Sequence, residues 1–198
     1  MTKMNTLKKA FWMVFLLLLT GLTAYSQADK RSYSSLLKAA NKGDSPSQAM
    51  VAYRLKEGIG VNKDLEEAKR WAQIASESWN GLGFWLLAQM SHEAGDPVSV
   101  YRKYLDSAMS CYYPLAWSFF ARLYESGSSE FDIEKDEFTA FELFREAANH
   151  GDTEAAAQAA ILYLTLKNDP WSAFEYFSKA ADNGDADSMF MLASLYFN

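Results

Sequence analysis

Two histidines and a single cysteine are the residues of this 198-residue chain best suited to proton transfer, nucleophilic attack or metal binding. Each such chemistry needs partners at set spacings. His92 is followed by Glu93, the opening of the His-Glu pair of a zinc-peptidase helix, but no second histidine lies at that motif's spacing, so a zinc ion lacks its ligands. His150 directly precedes Gly151, which reads as a surface helix end. Cys111 with either histidine would make a nucleophile and its base. It falls, however, in a slot where three other stretches carry a turn glycine. Gly58-Ile59-Gly60 lacks the Gly-Lys-Ser/Thr ending with which a phosphate loop holds its ligand, and a turn explains both glycines. Adjacent acids such as Glu66-Glu67 belong on a solvated helix face. The expectation is a chain with no catalytic residues, no metal and no cofactor.

The elements that carry these residues recur along the chain. A pair closing a helix occurs at Ala39-Ala40, Ile74-Ala75, Ser107-Ala108, Ala147-Ala148 and Ala180-Ala181, with second members 35, 33, 40 and 33 residues apart. Three residues beyond stand Gly43, Ser78, Cys111, Gly151 and Gly184. Glycine there suits a left-handed helix C-cap, where a Cβ is costly. Asp44, Asp152 and Asp185 follow directly and can cap the next helix. A second landmark comes later in each copy: Leu55, Met90, Tyr124, Tyr163 and Tyr196. Apolar or small residues three and four places before it share its helix face. Upstream of the pair lie Leu36, Trp71, Tyr104, Phe144 and Phe177. Asp64, Asp96, Asp136 and Asp169 mark helix starts, reinforced at two of them by Pro97 and Pro170.

This spacing predicts an all-α protein of about ten helices, near 33–41, 46–57, 64–77, 81–93, 97–110, 114–126, 136–149, 153–167, 170–182 and 186–197. They group into five units, roughly 33–65, 66–98, 99–137, 138–170 and 171–198. No unit buries its own apolar face, so neighbours must stack. Residues 127–135 are the one long insertion.

Residues 1–26 stand outside the pattern. Lys3, Lys8 and Lys9 precede the uncharged apolar run from Ala10 to Leu22, and Ala24-Tyr25-Ser26 offers small residues for cleavage after Ser26. That is the layout of a secretory signal peptide. The run is short for a membrane span, which wants about 20 apolar residues, and the alternative reading is an uncleaved N-terminal anchor. The expectation is a periplasmic or secreted mature chain, 27–198, with no stable membrane insertion once the signal is removed. Losing three lysines takes the net charge from −6 to −9. Such acidity provides no electrostatic footprint for nucleic acid and would steer in a partner with basic patches. One cysteine cannot close an internal disulfide, so stability must come from packing.

The stretch EGIGVNKDLEEAKRW, from Glu57 to Trp71, resembles the Sel1-like repeat, a tetratricopeptide-like family. Gly58, Gly60, Val61, Asp64, Ala68 and Trp71 fill the family's positions, with Glu67 replacing the usual lysine. The stretches EAANHGDTEAAAQAAILY and KAADNGDADSMFMLASLY resemble the other half of the repeat. The likeness runs over about residues 33–198, although the second to fourth units lack the Gly-x-Gly turn. It implies an exported bacterial protein folded as a right-handed αα-superhelix, a solenoid of about five helix pairs with a concave surface. It further implies a non-catalytic scaffold or adaptor that binds another protein in the cell envelope or outside the cell. A cysteine-rich branch of the family is linked to β-lactam binding or hydrolysis. Its cysteine pairs are absent here, so that hydrolase activity is not carried over.

In related solenoids the first helix of each unit lines the inner groove. Counted from the second landmark, Tyr53, Phe84, Ser118, Arg122 and Phe190 then become the candidate partner-binding residues. Aromatics and arginine are the types that anchor interfaces. Exposed aromatics would also suit peptidoglycan or another glycan, which is the alternative reading. No closing helix follows Tyr196, so Leu192, Leu195 and Tyr196 are expected to be exposed on one side: either this end docks on a partner or a second copy, or the sequence is a fragment of a longer chain.

Overall fold

The computed structural model describes residues 30–196, and the expected signal segment 1–26 lies outside the described residues. Ten α-helices occur among the described residues: α1 (Tyr33–Ala40), α2 (Ser45–Glu57), α3 (Leu65–Glu77), α4 (Gly81–Glu93), α5 (Val98–Ser110), α6 (Pro114–Ser126), α7 (Glu137–Asn149), α8 (Thr153–Thr165), α9 (Pro170–Asp182) and α10 (Ala186–Tyr196). The protein is all-α, as its periodicity predicts, and successive helices pack in pairs. None of the described helices is long and apolar enough to cross a membrane.

Local chemistry sets most of the helix starts. The side chains of Asp44, Asp64, Asp136, Asp152 and Asp169 accept hydrogen bonds from backbone N–H groups in the first turns of α2, α3, α7, α8 and α9. Asp185 accepts from the Ser188 N–H at 2.8 Å and does the same for α10. Each bond satisfies a donor that the helix cannot. The exchange of cap for turn partner at α5 departs from expectation. Pro97 is the N-cap there, with no side-chain cap bond. Asp96 instead takes a hydrogen bond from Ser91 Oγ at 2.5 Å. Pro170, by contrast, sits in the first turn of α9 as anticipated.

The chain divides into two compact units, with the boundary inside α6 between Ala116 and Trp117. In the first unit α1 packs on α2, α2 on α3, α3 on α4 and α4 on α5. Small residues allow the close approach. Ala68, Ala72 and Ala75 are fully buried along α3. A Cβ on Gly83 of α4 would lie 3.0 Å from the Ala72 carbonyl oxygen and 3.0 Å from the Ala75 Cβ. Lys56 ties the ends of α2 and α4, its Nζ lying 2.8 Å from Glu57 and 3.0 Å from Glu93. Burial alone would lower the Lys56 pKa. The hydrogen bonds and charges of the two glutamates outweigh it and hold the ammonium above its ordinary value.

In the second unit α7 packs on α8, α8 on α9 and α9 on α10. Phe144 and Phe177 fill the core among Ala121, Ala147, Ala156, Ala160 and Ala180. The insertion after α6 folds into a tight loop closed by a bridge between Ser128 and Ile133. It buries Phe131 against Phe119 at 5.6 Å and Phe120 at 6.2 Å between ring centroids.

The backbone corrects the repeat register in two places. In every turn the N–H of the residue opening the next helix donates to the closing carbonyl of the previous one. The pairs are Asp44 to Ala39, Asn80 to Ala75, Tyr113 to Ala108, Asp152 to Ala147 and Asp185 to Ala180. The residue just before the opener has positive φ in all five: Gly43, Trp79, Tyr112, Gly151 and Gly184. Ser78 and Cys111 are therefore one place short of the glycine slot, which Trp79 and Tyr112 occupy. The second landmark slips too. The N–H groups of Asp64, Asp96, Asp136 and Asp169 donate to the carbonyls of Leu55, Ser91, Tyr124 and Tyr163. In the second repeat the landmark is thus Ser91 and not Met90. The slip arises because an aromatic replaces glycine in the turn, so the pattern of residue types no longer marks it.

Candidate functional site

The corrected register moves one candidate. The position held by Ser118 in α6 and Phe190 in α10 belongs in α4 to Trp85, not Phe84. Trp85 is buried, and its ring lies 6.0 Å from that of Tyr113. Phe84 is half-buried and meets the Trp79 ring edge-on at 6.1 Å. Tyr53 on α2 is 2 % exposed. Phe190 on α10 is 72 % exposed.

Ser118 and Arg122, one turn apart on α6, are the two candidates that the structure brings together. The Ser118 hydroxyl donates to Asp152, the buried carboxylate that also caps α8 through the N–H groups of Glu154 and Ala155. The Arg122 guanidinium donates to Glu154 and lies 5.7 Å above the Phe144 ring centroid. Both side chains thus fasten α6 to the start of α8. The positive charge of Arg122 is already engaged within the chain.

The second unit also carries an aromatic ladder. Phe141 meets Tyr163 at 4.8 Å, and Tyr163 meets Tyr176 at 5.2 Å. The Tyr176 hydroxyl donates to Asn149 Oδ1 at 3.1 Å. Burial, reinforced by Tyr163, pushes the Tyr176 phenol up to about 12. Lys167 covers Phe138 and Phe141, at 4.8 and 5.2 Å, and Lys179 covers Tyr176 at 4.1 Å, the geometry of cation–π contacts.

His92 packs edge-on against Tyr101 at 5.3 Å. Burial pushes the Cys111 thiol pKa up, away from the thiolate that a nucleophile needs.

Large apolar side chains are exposed on α10. Ser188 is its one buried residue among those described, whereas α2 buries ten residues from Ser47 to Lys56. Met191, Leu192 and Leu195 are partly buried against the core, while Met189, Phe190 and Tyr196 are 50 %, 72 % and 75 % exposed. The exposure of Tyr196 agrees with expectation, and Leu192 and Leu195 are more covered than expected.

The helix-pair geometry, capped by aspartate and closed by an αL turn, has a sequence counterpart. The pattern of the Sel1 repeat matches residues 45–78, 111–152 and 153–185, together more than half of the chain. The chain belongs to the Sel1 repeat family. Solved structures show the same fold. A Sel1 repeat protein from Oxalobacter formigenes superposes with a TM-score of 0.65 at 21 % identity, over 84 % of this chain and 69 % of that one. A protective antigen present in uropathogenic Escherichia coli strains, displaying an SLR fold, superposes with a TM-score of 0.62 at 21 % identity, over 93 % of this chain and 40 % of that one. An immunity protein from Pseudomonas aeruginosa gives 0.60 at 18 % identity, over 83 % of this chain and 65 % of that one. The chain thus spans less than half of the antigen's length. No curated protein sequence matches it significantly.

Within this Sel1 repeat protein, sequence reasoning passed over Trp79, Tyr112 and Trp171, which are 71 %, 63 % and 86 % exposed. Trp79 and Tyr112 were hidden by the register slip. Trp171 follows Pro170 in the first turn of α9 and belongs to no repeated apolar stripe.

Proposed function

We propose that this chain is a non-catalytic scaffold that binds another protein, working in the bacterial cell envelope or outside the cell after export. The observation that carries the reading is the set of large apolar side chains exposed on α10. Met189, Phe190 and Tyr196 are exposed on a helix with one buried residue among those described, whereas α2 buries ten and α4 nine. Large aromatics of this kind form the centres of protein interfaces. The kinship with an immunity protein and a protective antigen fits a recognition role better than a catalytic one. The surplus of acids favours a partner with basic surface near the contact.

The test is capture of envelope proteins on the full chain, alongside Phe190→Asp. The reading requires one protein recovered in constant ratio, with affinity falling roughly tenfold or more in the variant. Equal recovery by both would refute this face. Arg122→Glu is a poor probe, because it breaks the tie to Glu154 before it touches any partner. Export is tested separately, by sequencing the N-terminus of the protein from the periplasm or medium. A mature chain starting at Gln27 is expected, and retention of Met1 in the cytoplasm would refute it.

A further inference from the structure

Two consecutive repeat turns in the first unit place aromatic side chains where the other three place glycine. Trp79 and Tyr112 have φ of 54° and 55°, in the left-handed region that bulky residues avoid. Their counterparts Gly43, Gly151 and Gly184 adopt φ of 89°, 98° and 92° without that strain. Burial does not repay it, since the two rings are 71 % and 63 % exposed. A strained backbone carrying an exposed side chain directs attention to function.

The two turns also abut. A Cβ on Gly81, two residues after Trp79, would fall 2.7 Å from Tyr113 Cβ and 3.2 Å from Cys111 Cβ. The absence of a side chain at Gly81 is what lets one turn lie against the next. Trp79 and Tyr112 therefore occupy equivalent places on neighbouring turns of one edge. The chemistry around them is distinctive: no lysine or arginine occurs in 71–80 or 104–113. Exposed Glu77, Ser78 and Ser110 supply carboxylate and hydroxyl groups instead.

We propose that this edge binds an uncharged glycan chain, with Trp79 and Tyr112 as stacking platforms for successive parts of it. The apolar faces of sugar rings match exposed π surfaces. Sugar hydroxyls donate to a carboxylate such as Glu77 and exchange hydrogen bonds with serines. The lack of cations disfavours anionic polymers, which need arginine or lysine for charge-assisted bonds. The edge shares no residue with the α10 face, so failure of either proposal leaves the other standing.

Glycine substitution provides the test, because Trp79→Gly and Tyr112→Gly remove the ring and relieve the backbone together. Calorimetric titration of the full chain uses two probes, the hexamers of β-1,4-linked N-acetylglucosamine and of β-1,4-linked glucose. Saturable binding of at least one is expected, weakened at least tenfold in each glycine variant, with the variants' unfolding midpoints no lower than that of the parent. Absence of binding to both hexamers would overturn the proposal. So would binding that both variants retain. A photocrosslinker at position 79 that captures a protein in cells, with both hexamers inert, would reassign the edge to protein recognition and equally overturn it.

Discussion

Turns in the two compact units solve one geometric problem in two ways, and the first unit uses both, since its Gly43 turn matches those of the second unit. In the second unit Gly151 and Gly184 take the left-handed position, and Asp152 and Asp185 cap the helix that follows. In the first unit the turns after α3 and α5 force Trp79 and Tyr112 into that position, at a cost of about 1–2 kcal/mol each. The backbone hydrogen bonds are nevertheless the same in both. A repeat turn of this kind is thus held by its neighbours as well as by its own residues. Where local chemistry disfavours it, contacts such as Gly81 on Tyr113 and Trp85 on Tyr113 must supply the difference.

The largest test of that contrast lies at the caps. Asp152→Ala removes the bonds to two α8 N–H groups and leaves the buried Ser118 hydroxyl without its acceptor. A lost cap costs about 1 kcal/mol, and an orphaned buried donor about 1–3 kcal/mol more. Urea unfolding should show a loss of about 2–4 kcal/mol. Asn80→Ala, which removes a single cap bond in the first unit, should cost only about 1 kcal/mol. Equal losses would show that the Ser118 tie contributes nothing.

Next in size is crowding against conformation. Gly81→Ala puts a Cβ 2.7 Å from Tyr113 Cβ and 3.2 Å from Cys111 Cβ, atoms that no rotamer change can move aside. Overpacking of this sort costs about 1–3 kcal/mol. Gly151→Ala meets nothing within 4 Å and carries only the strain of φ +98°. It should cost about 1 kcal/mol, at the lower end of the left-handed penalty. If Gly151→Ala proves the more damaging, then the turns of the first unit do not depend on close contact.

These particulars explain what could be read beforehand. Helix positions were legible because aspartate caps, proline and apolar spacing are local signals, and each boundary falls within about two residues of its expected place. The register of the second repeat was not, because it hinged on a glycine-like conformation adopted by tryptophan. Residue type carries no trace of that. The groove candidates suffered for the same reason: one slipped residue exchanged Trp85 for Phe84. The engagement of Arg122 by Glu154 lies beyond any local signal, since the pair is 32 residues apart and depends on how α6 meets α8.

Relief of strain gives a smaller effect with the opposite sign. Trp79→Gly exchanges a left-handed penalty for the greater entropy of glycine in the unfolded chain, and it forfeits the edge contact with Phe84. The balance should leave the thermal midpoint unchanged or slightly higher, by no more than about 1 kcal/mol. Tyr112→Gly should behave alike. A clear fall in the midpoint would mean that the aromatic rings hold the first unit together, and the contrast between the units would then be one of packing alone.

The smallest effect vanishes at neutral pH and appears only in alkali. The Tyr176 phenol is buried against Tyr163 and bonded to Asn149, and its folded-state value rises from an ordinary 10 to about 12. Below pH 10 both folded and unfolded chains keep this proton, and the neutral phenol retains its native place. Between pH 10 and 12 the unfolded chain loses the proton first, so the folded state binds more protons and stability falls as pH rises. Tyr33 in the first unit is also raised, through burial and the acids Glu67 and Asp64, so both units contribute in the same direction. Unfolding midpoints at pH 9 and 11.5 should therefore drop for the parent chain and drop less for Tyr176→Phe, which has no phenol proton to lose. An identical drop in the variant would assign the alkaline loss to Tyr33 and other groups, and would leave the Tyr163–Tyr176 ladder as packing without electrostatic consequence.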